Sequence, residues 1–223
     1  MVELQTPFYQ PPAMSVVRKW RSLAPPAFHF CLKAWQLITH TPASPTYRRL
    51  KSEIAPSERD LYGSFRPTEQ VALAWERTQE IAEVLDACVI VFQCPASFLP
   101  TREHIRNLES FFHGIERSGR LMAWEPRGAD WTDELVRDLC EANSLVHCVD
   151  PFNRAPVFGD SLYWRLHGRG GYRYTYSDEE LVELEGKLRV YAELPGPQYV
   201  LFNNSTSKQD ALRFRRLCGE TTE

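Results

Sequence analysis

The chain has no long apolar run, no CxxC pair and no strong charge of either sign, and each absence removes a class of function. A helix that spans a bilayer needs about 20 consecutive apolar residues, and no segment of the 223 residues approaches that. The first ten, MVELQTPFYQ, carry Glu3 and have no basic stretch ahead of an apolar one, so they do not read as a secretory leader. A formal charge of −3 and a pI near 6.1 give no general attraction to nucleic acid or anionic lipid. The expectation is a cytoplasmic protein that engages neither membrane nor nucleic acid. The six cysteines (Cys31, Cys88, Cys94, Cys140, Cys148 and Cys218) are dispersed, and none has zinc-type spacing to any of the six histidines. Cys31, Cys88 and Cys148 fall inside apolar runs, where a free thiol behaves as a small hydrophobe. There is no Gly-x-Ser-x-Gly elbow, no GxGxxG and no Walker lysine, which removes the common serine-hydrolase and nucleotide cradles. Without a repeat, a low-complexity tract or a linker, residues 1–223 read as one domain.

What the chain does have is aromatic and apolar residues in periodic runs. Six Trp, nine Tyr and twelve Phe, within a hydrophobic fraction of 43%, suffice for a sizeable core. Seven runs read as strands: 2–6, 28–33, 87–93, 121–125, 145–150, 161–167 and 198–203. Helical periodicity fits between most of them. Thr68, Thr101 and Thr132 stand as N-caps, Ser177 opens a capping box with Glu180, and further helices are expected at 15–24 and 208–217. Strands alternating with helices imply βαβ units and a parallel sheet. The expected fold is a TIM-type (β/α) barrel with seven of its eight strands, incomplete at the N-terminus, and with a Pro-punctuated loop excursion at about 41–66. The open edge this leaves allows a homodimer.

The strands share a parity. In Leu162-Tyr-Trp-Arg-Leu-His167 the even residues are apolar and the odd ones end in Arg165 and His167. Neighbouring side chains on a strand point to opposite faces, so one set faces the helices and the other the interior. Applied to all seven strands, this gathers Glu3, Lys33, Gln93, Glu125, Arg127, Asp150, Arg165, His167 and Asn203 in one polar layer at the strand C-termini. His40, ahead of the long loop, can join it, and Tyr9 and Trp131 offer stacking walls or packing. Barrel enzymes keep their sites at that end. Two arginines and a lysine suit an anionic group, while His167 with Glu125 or Asp150 suits proton transfer near neutral pH. One alternative is a metal-dependent hydrolase built on Glu3, Glu125, Asp150 and His167. Another is a non-catalytic module in which the same charges form a structural ion network. No cofactor is identified by any motif. Gly168-Arg-Gly-Gly171 offers backbone amides to an anion, and Arg213-Phe-Arg-Arg216 reads as a solvated basic face.

These residues also resemble the YecE-like family, domain of unknown function 72. The likeness runs in order through Val2-Glu3-Leu-Gln-Thr-Pro-Phe8-Tyr9, Phe30-Cys-Leu-Lys33, Ile38-Thr-His40 and Phe92-Gln93-Cys-Pro95. It continues through Glu125-Pro-Arg127 with Trp131, Asp150, Tyr163-Trp-Arg165-Leu-His167-Gly168 and Phe202-Asn203-Asn204. The resemblance implies a TIM-type barrel and assigns no reaction. Two departures stand out: family members begin with a further strand and helix, and the loop after Asn204 is shorter here and lacks glycines. The functional expectation is therefore a barrel protein that binds a small anionic or sugar-like molecule.

Overall fold

The structure, a computed structural model, describes residues 1–219 and is an α/β fold of parallel strands and helices that divides into two compact units, Met1–Leu145 and the described residues from Val146 onwards. The first unit runs β1 (Val2–Leu4), α1 (Thr6–Tyr9), α2 (Met14–Ser22), β2 (Phe30–Lys33), α3 (Gln36–Thr39), α4 (Glu69–Leu85), β3 (Ala87–Gln93), α5 (Arg102–Gly114), β4 (Leu121–Glu125) and α6 (Asp133–Ala142). The second holds β5 (Val146–His147), β6 (Leu162–Leu166), α7 (Asp178–Arg189), β7 (Gln198–Phe202) and α8 (Ser207–Leu217). All seven expected strands are present, most of them shorter than expected.

The caps lie where the sequence puts them. The hydroxyls of Thr68, Thr101 and Thr132 accept from the amides of Val71, His104 and Leu135, and Ser177 with Glu180 completes a capping box. Each such cap satisfies an amide that has no partner within its helix, typically contributing about 1 kcal/mol. The first strand ends earlier than expected because Pro7 opens α1 there. The expected strand 145–150 contracts to Val146–His147. Phe158 returns alongside to take the His147 amide, and the run survives further on only as a bridge from Val149 to Trp164.

Within the first unit β1, β2, β3 and β4 pair in sequence order, all parallel, and in the second β6 pairs parallel with β7. The sheet does not close, so the ring expected of a full barrel is not formed by these pairings. Both faces are nonetheless covered: every residue of β2 and β6 is buried, as strands flanked on two sides must be. On one face of β3, Phe92 packs against Trp75 of α4 and Phe112 of α5 at 5.9 and 4.9 Å between ring centroids. On one face of β6, Leu162, Trp164 and Leu166 join Leu181 and Leu184 of α7 and Phe214 of α8. These are the helix-facing sets that the alternation predicts.

The excursion after His40 is more ordered than a plain loop. It makes two 3-10 turns, Pro45–Arg49 and Pro56–Leu61, and returns on Gly63, Ser64 and Phe65, all with positive φ. Their amides donate to the carbonyls of Leu37, Thr39 and Ile38 on α3. A Cβ on Gly63 would stand 2.2 Å from the His40 carbonyl oxygen, so only glycine fits the point of return. The left-handed conformation costs Ser64 and Phe65 about 1–2 kcal/mol each. Phe65 offsets that cost by burial, with its ring between Phe92, Phe98 and Phe112.

Candidate functional site

In the first unit the polar residues sit where β2, β3 and β4 end. Lys33, Gln93 and Glu125 are the last residues of those strands, and the register sets Gln93 directly opposite Glu125. Lys33 pairs one step lower, opposite Val91, but its long side chain reaches up to donate from Nζ to Gln93 Oε1. Gln93 Nε2 then donates to Glu125 Oε1 at 2.8 Å. The same oxygen accepts from Arg127 Nε at 3.0 Å and lies 2.9 Å from its NH2. Lys33, Gln93 and Glu125 are only 5–8% exposed, whereas the Arg127 side chain remains 44% exposed at the mouth. The chain of contacts therefore leads from solvent to a buried ammonium.

That ammonium rests on an aromatic face. Lys33 Nζ lies 3.4 Å from the ring centroid of Phe8, a desolvated cation–π contact of the kind that contributes about 2 kcal/mol. Edge-on to the same ring, at 5.0 Å, is the imidazole of His40, whose Nδ1 is 2.8 Å from the Thr39 hydroxyl. Burial, then Lys33, then Arg127 lower the His40 pKa from 6.5 to about 3, because a third positive charge beside these two is disfavoured. The imidazole is therefore neutral at ordinary pH. The excursion supplies the outer wall: Tyr47 donates to the His40 carbonyl at 2.7 Å, and the Arg49 guanidinium stacks over Tyr9 at 3.6 Å. Lys33 and Arg127 bring two cations to this end of the sheet, chemistry that suits an anionic group.

Other expected members of the layer lie elsewhere or do other work. Glu3 is level with Cys31, one residue pair below Lys33, and accepts from Gln5 Nε2. Trp131 packs: it is 2% exposed, its indole donates to the Phe98 carbonyl at 2.8 Å, and its ring stacks on Phe98. The Cys94 thiol accepts from Trp124 Nε1 at 3.3 Å, and burial pushes its pKa up to about 12, which disqualifies it as a nucleophile. At the opposite ends of the strands the arginines bind main chain. Arg21 donates to the carbonyls of Phe28, Ala24 and Leu85, Arg120 to Ala87, and Arg117 to Phe112, Asn143 and Ser144.

In the second unit Arg165, His167 and Asn203 stand at the C-terminal ends of β6 and β7, with Arg165 on the buried face that carries Tyr163 and Tyr199. Asp150 was expected to serve His167 as an acid–base partner; its Oδ2 instead accepts the backbone amide of His167 and its Oδ1 that of Phe152, both at 3.0 Å. The glycine loop does not present a bare row of amides. The Gly168 amide donates to the Tyr176 hydroxyl and the Gly171 amide to the Gly168 carbonyl. In the basic stretch Arg213-Phe-Arg-Arg216, Arg215 and Arg216 are exposed as expected, whereas Arg213 binds Asp178, Asp210 and the Tyr176 carbonyl. The fully buried Asp210 also accepts from Asn204 at 2.6 Å and Thr206 at 2.7 Å. Sequence reasoning missed that carboxylate because Asp210 in the first turn of a helix looks like an ordinary dipole partner. It also missed Phe8 and Tyr47 as walls, for nothing local marks which aromatic residue a loop will deliver.

Among the described residues, no three His, Cys, Asp or Glu side chains gather as metal ligands. No helix among them is long and apolar enough to cross a membrane. No curated protein matches the chain. Among solved structures, a protein of the same unknown-function class from Thermotoga maritima MSB8 matches with a TM-score of 0.75 and 22% identity, over 98% of this chain and 84% of that one. A second, from Enterococcus faecalis V583, matches with a TM-score of 0.74 and 19% identity, over 99% and 86%. Both likenesses establish the fold. The family model described as "Protein of unknown function DUF72" matches residues 1–223, and the chain belongs to that family.

Proposed function

We propose that the strand-end cluster of the first unit binds a small anionic or sugar-like molecule, with Lys33 and Arg127 holding the anionic group and Gln93 bridging Lys33 to Glu125. One observation carries the reading: a lysine only 5% exposed sits on the Phe8 ring and is joined through Gln93 and Glu125 to an arginine open to solvent. Buried charges are costly for structure alone. The Glu125 carboxylate is the acid–base group of this unit, and the neutral His40 imidazole offers a hydrogen bond rather than a proton. In the second unit Arg165, His167 and Asn203 belong to the proposal as ligand contacts at their own strand ends, while Asp150 acts by fixing the His167 backbone. The finer architectural reading treats residues 1–223 as one cytoplasmic domain of the (β/α)-barrel class, in which strand C-termini build the site.

The test is a thermal-shift series with phosphorylated metabolites and sugar acids on the wild type, Lys33→Met and Arg127→Ala. A ligand at about 100 times its dissociation constant adds roughly 2.7 kcal/mol, several degrees for a chain of this size. The rise is expected in the wild type and is lost in Lys33→Met, whose unliganded melting point is expected to fall because Gln93 Oε1 loses its buried donor and Phe8 its cation. A rise of equal size in all three proteins, or none with any compound, overturns the assignment.

A further inference from the structure

We propose that Cys31 and Cys88 form a dithiol pair that closes to a disulfide on reaction with peroxide-class oxidants, a modification site set into the strand that carries Lys33. A regular parallel ladder opposes Phe30 to Cys88 and puts Cys31 and Cys88 on opposite faces. The ladder here is not regular: Phe30 pairs with Ala87 and Cys31 with Val89, so Cys88 is the extra residue of a bulge. A bulge turns the inserted residue away from its ladder position. The outcome is that the two sulfurs lie 3.8 Å apart on neighbouring strands, with the Cys88 thiol donating to the Phe30 carbonyl at 3.4 Å. Closing the pair needs an approach of about 2 Å to reach a bonded separation, within the reach of side-chain rotation about a displaced residue.

The two thiols differ in access, as such chemistry requires. Cys31 is fully buried, whereas Cys88 is partly exposed and is the one an oxidant meets first. The Cys88 thiolate attacks the peroxide O–O bond, giving a sulfenic acid and releasing one water once protons are counted. The Cys31 thiolate then attacks that sulfur, the S–S bond forms, and hydroxide leaves as a second water. Two electrons pass from the thiols to the peroxide, and no other reactant is needed. Cys31 and Lys33 are two residues apart on one strand and face the same side.

The experiment uses the full chain carrying Cys218→Ser, which removes the exposed thiol as a source of intermolecular cross-links. The reduced protein is treated with hydrogen peroxide, denatured in alkylating agent, digested and analysed by mass spectrometry. The expected result is a protein that lacks the two alkyl groups carried by the reduced form, a Cys31 peptide joined to a Cys88 peptide at the mass of the two free peptides less two hydrogen atoms, and full reversal by dithiothreitol. Adding Cys88→Ser abolishes the cross-link and leaves Cys31 alkylated, whereas adding Cys140→Ser leaves the cross-link intact. The proposal is overturned if Cys88 proceeds to sulfinic or sulfonic acid while Cys31 remains alkylatable, or if both residues are alkylated as fully after peroxide as before.

Discussion

Both units end a parallel strand segment in a carboxylate, and they put it to opposite uses. Glu125, closing β4, accepts from the side chains of Gln93 and Arg127 and so belongs to a chain that runs out to solvent. Asp150, beyond β5, accepts two backbone amides and holds the main chain at the end of β6. The cations divide the same way: Lys33 and Arg127 meet side chains, while Arg21, Arg117 and Arg120 at the other ends of the first unit's strands meet carbonyls. A charge bonded to main chain is part of the scaffold, because its partner cannot move without the fold moving. A charge bonded to another side chain can exchange that partner for a ligand.

Three changes sharpen or break this division. Gly63→Ala is expected to have the largest effect, a loss of about 4 kcal/mol in urea unfolding, because its Cβ would meet the His40 carbonyl at 2.2 Å in a backbone conformation alanine resists. An unfolding midpoint like that of the wild type would show that the return of the excursion does not hold His40. Asp210→Ala comes next, at about 3 kcal/mol, since Asn204, Thr206 and Arg213 lose a buried acceptor. Its thermal-shift response to ligand is expected to match the wild type, and loss of that response would erase the distinction between scaffold and site. Smallest near neutral pH, and growing only on acidification, is a pH slope from His40. The folded protein keeps this imidazole neutral down to about pH 3, whereas the unfolded chain takes up a proton near 6.5. The unfolded state thus binds more protons in that window, so stability is complete above about 6.5 and falls by up to about 1.4 kcal/mol per pH unit towards 3. Acid titration of stability should show His40→Asn losing this part of the slope; an unchanged slope would mean that His40 is not held neutral.

The parts of the molecule that were legible in its sequence are those decided within a few residues. Thr68, Thr101, Thr132 and Ser177 cap helices through amides three positions on, so their signal is local. Strand existence and helix-facing parity follow from alternation in the same way, and so Lys33, Gln93, Glu125 and Arg127 could be grouped in advance. Register is another matter. Glu3 looks equivalent to Lys33 by parity, yet pairing with Cys31 sets it a level lower. The bulge at Cys88 reverses a side that alternation had fixed. Asp150 has the right parity for proton transfer, but its bonds are to the backbone, and no pattern of side chains states which partner a carboxylate takes. Ser64 and Phe65 carry no mark of left-handed backbone, because what permits it is the aromatic cluster they enter.

The excursion between His40 and Gly63 also bears on how such a protein can change over generations. It is tied down near its start by Tyr47 on the His40 carbonyl and at its end by the three amides on α3. Between those ties the chain forms only the tail of one short turn and the whole of another, with mostly exposed residues. Lengthening a tethered loop costs little, about 0.6 kcal/mol for each doubling. Insertions there would leave the anchors and the Lys33 cluster where they are while altering what approaches Tyr9 and Arg49. Two fixed ends with a permissive middle let the mouth of the first unit diversify by drift in one segment, without any strand having to find a new register.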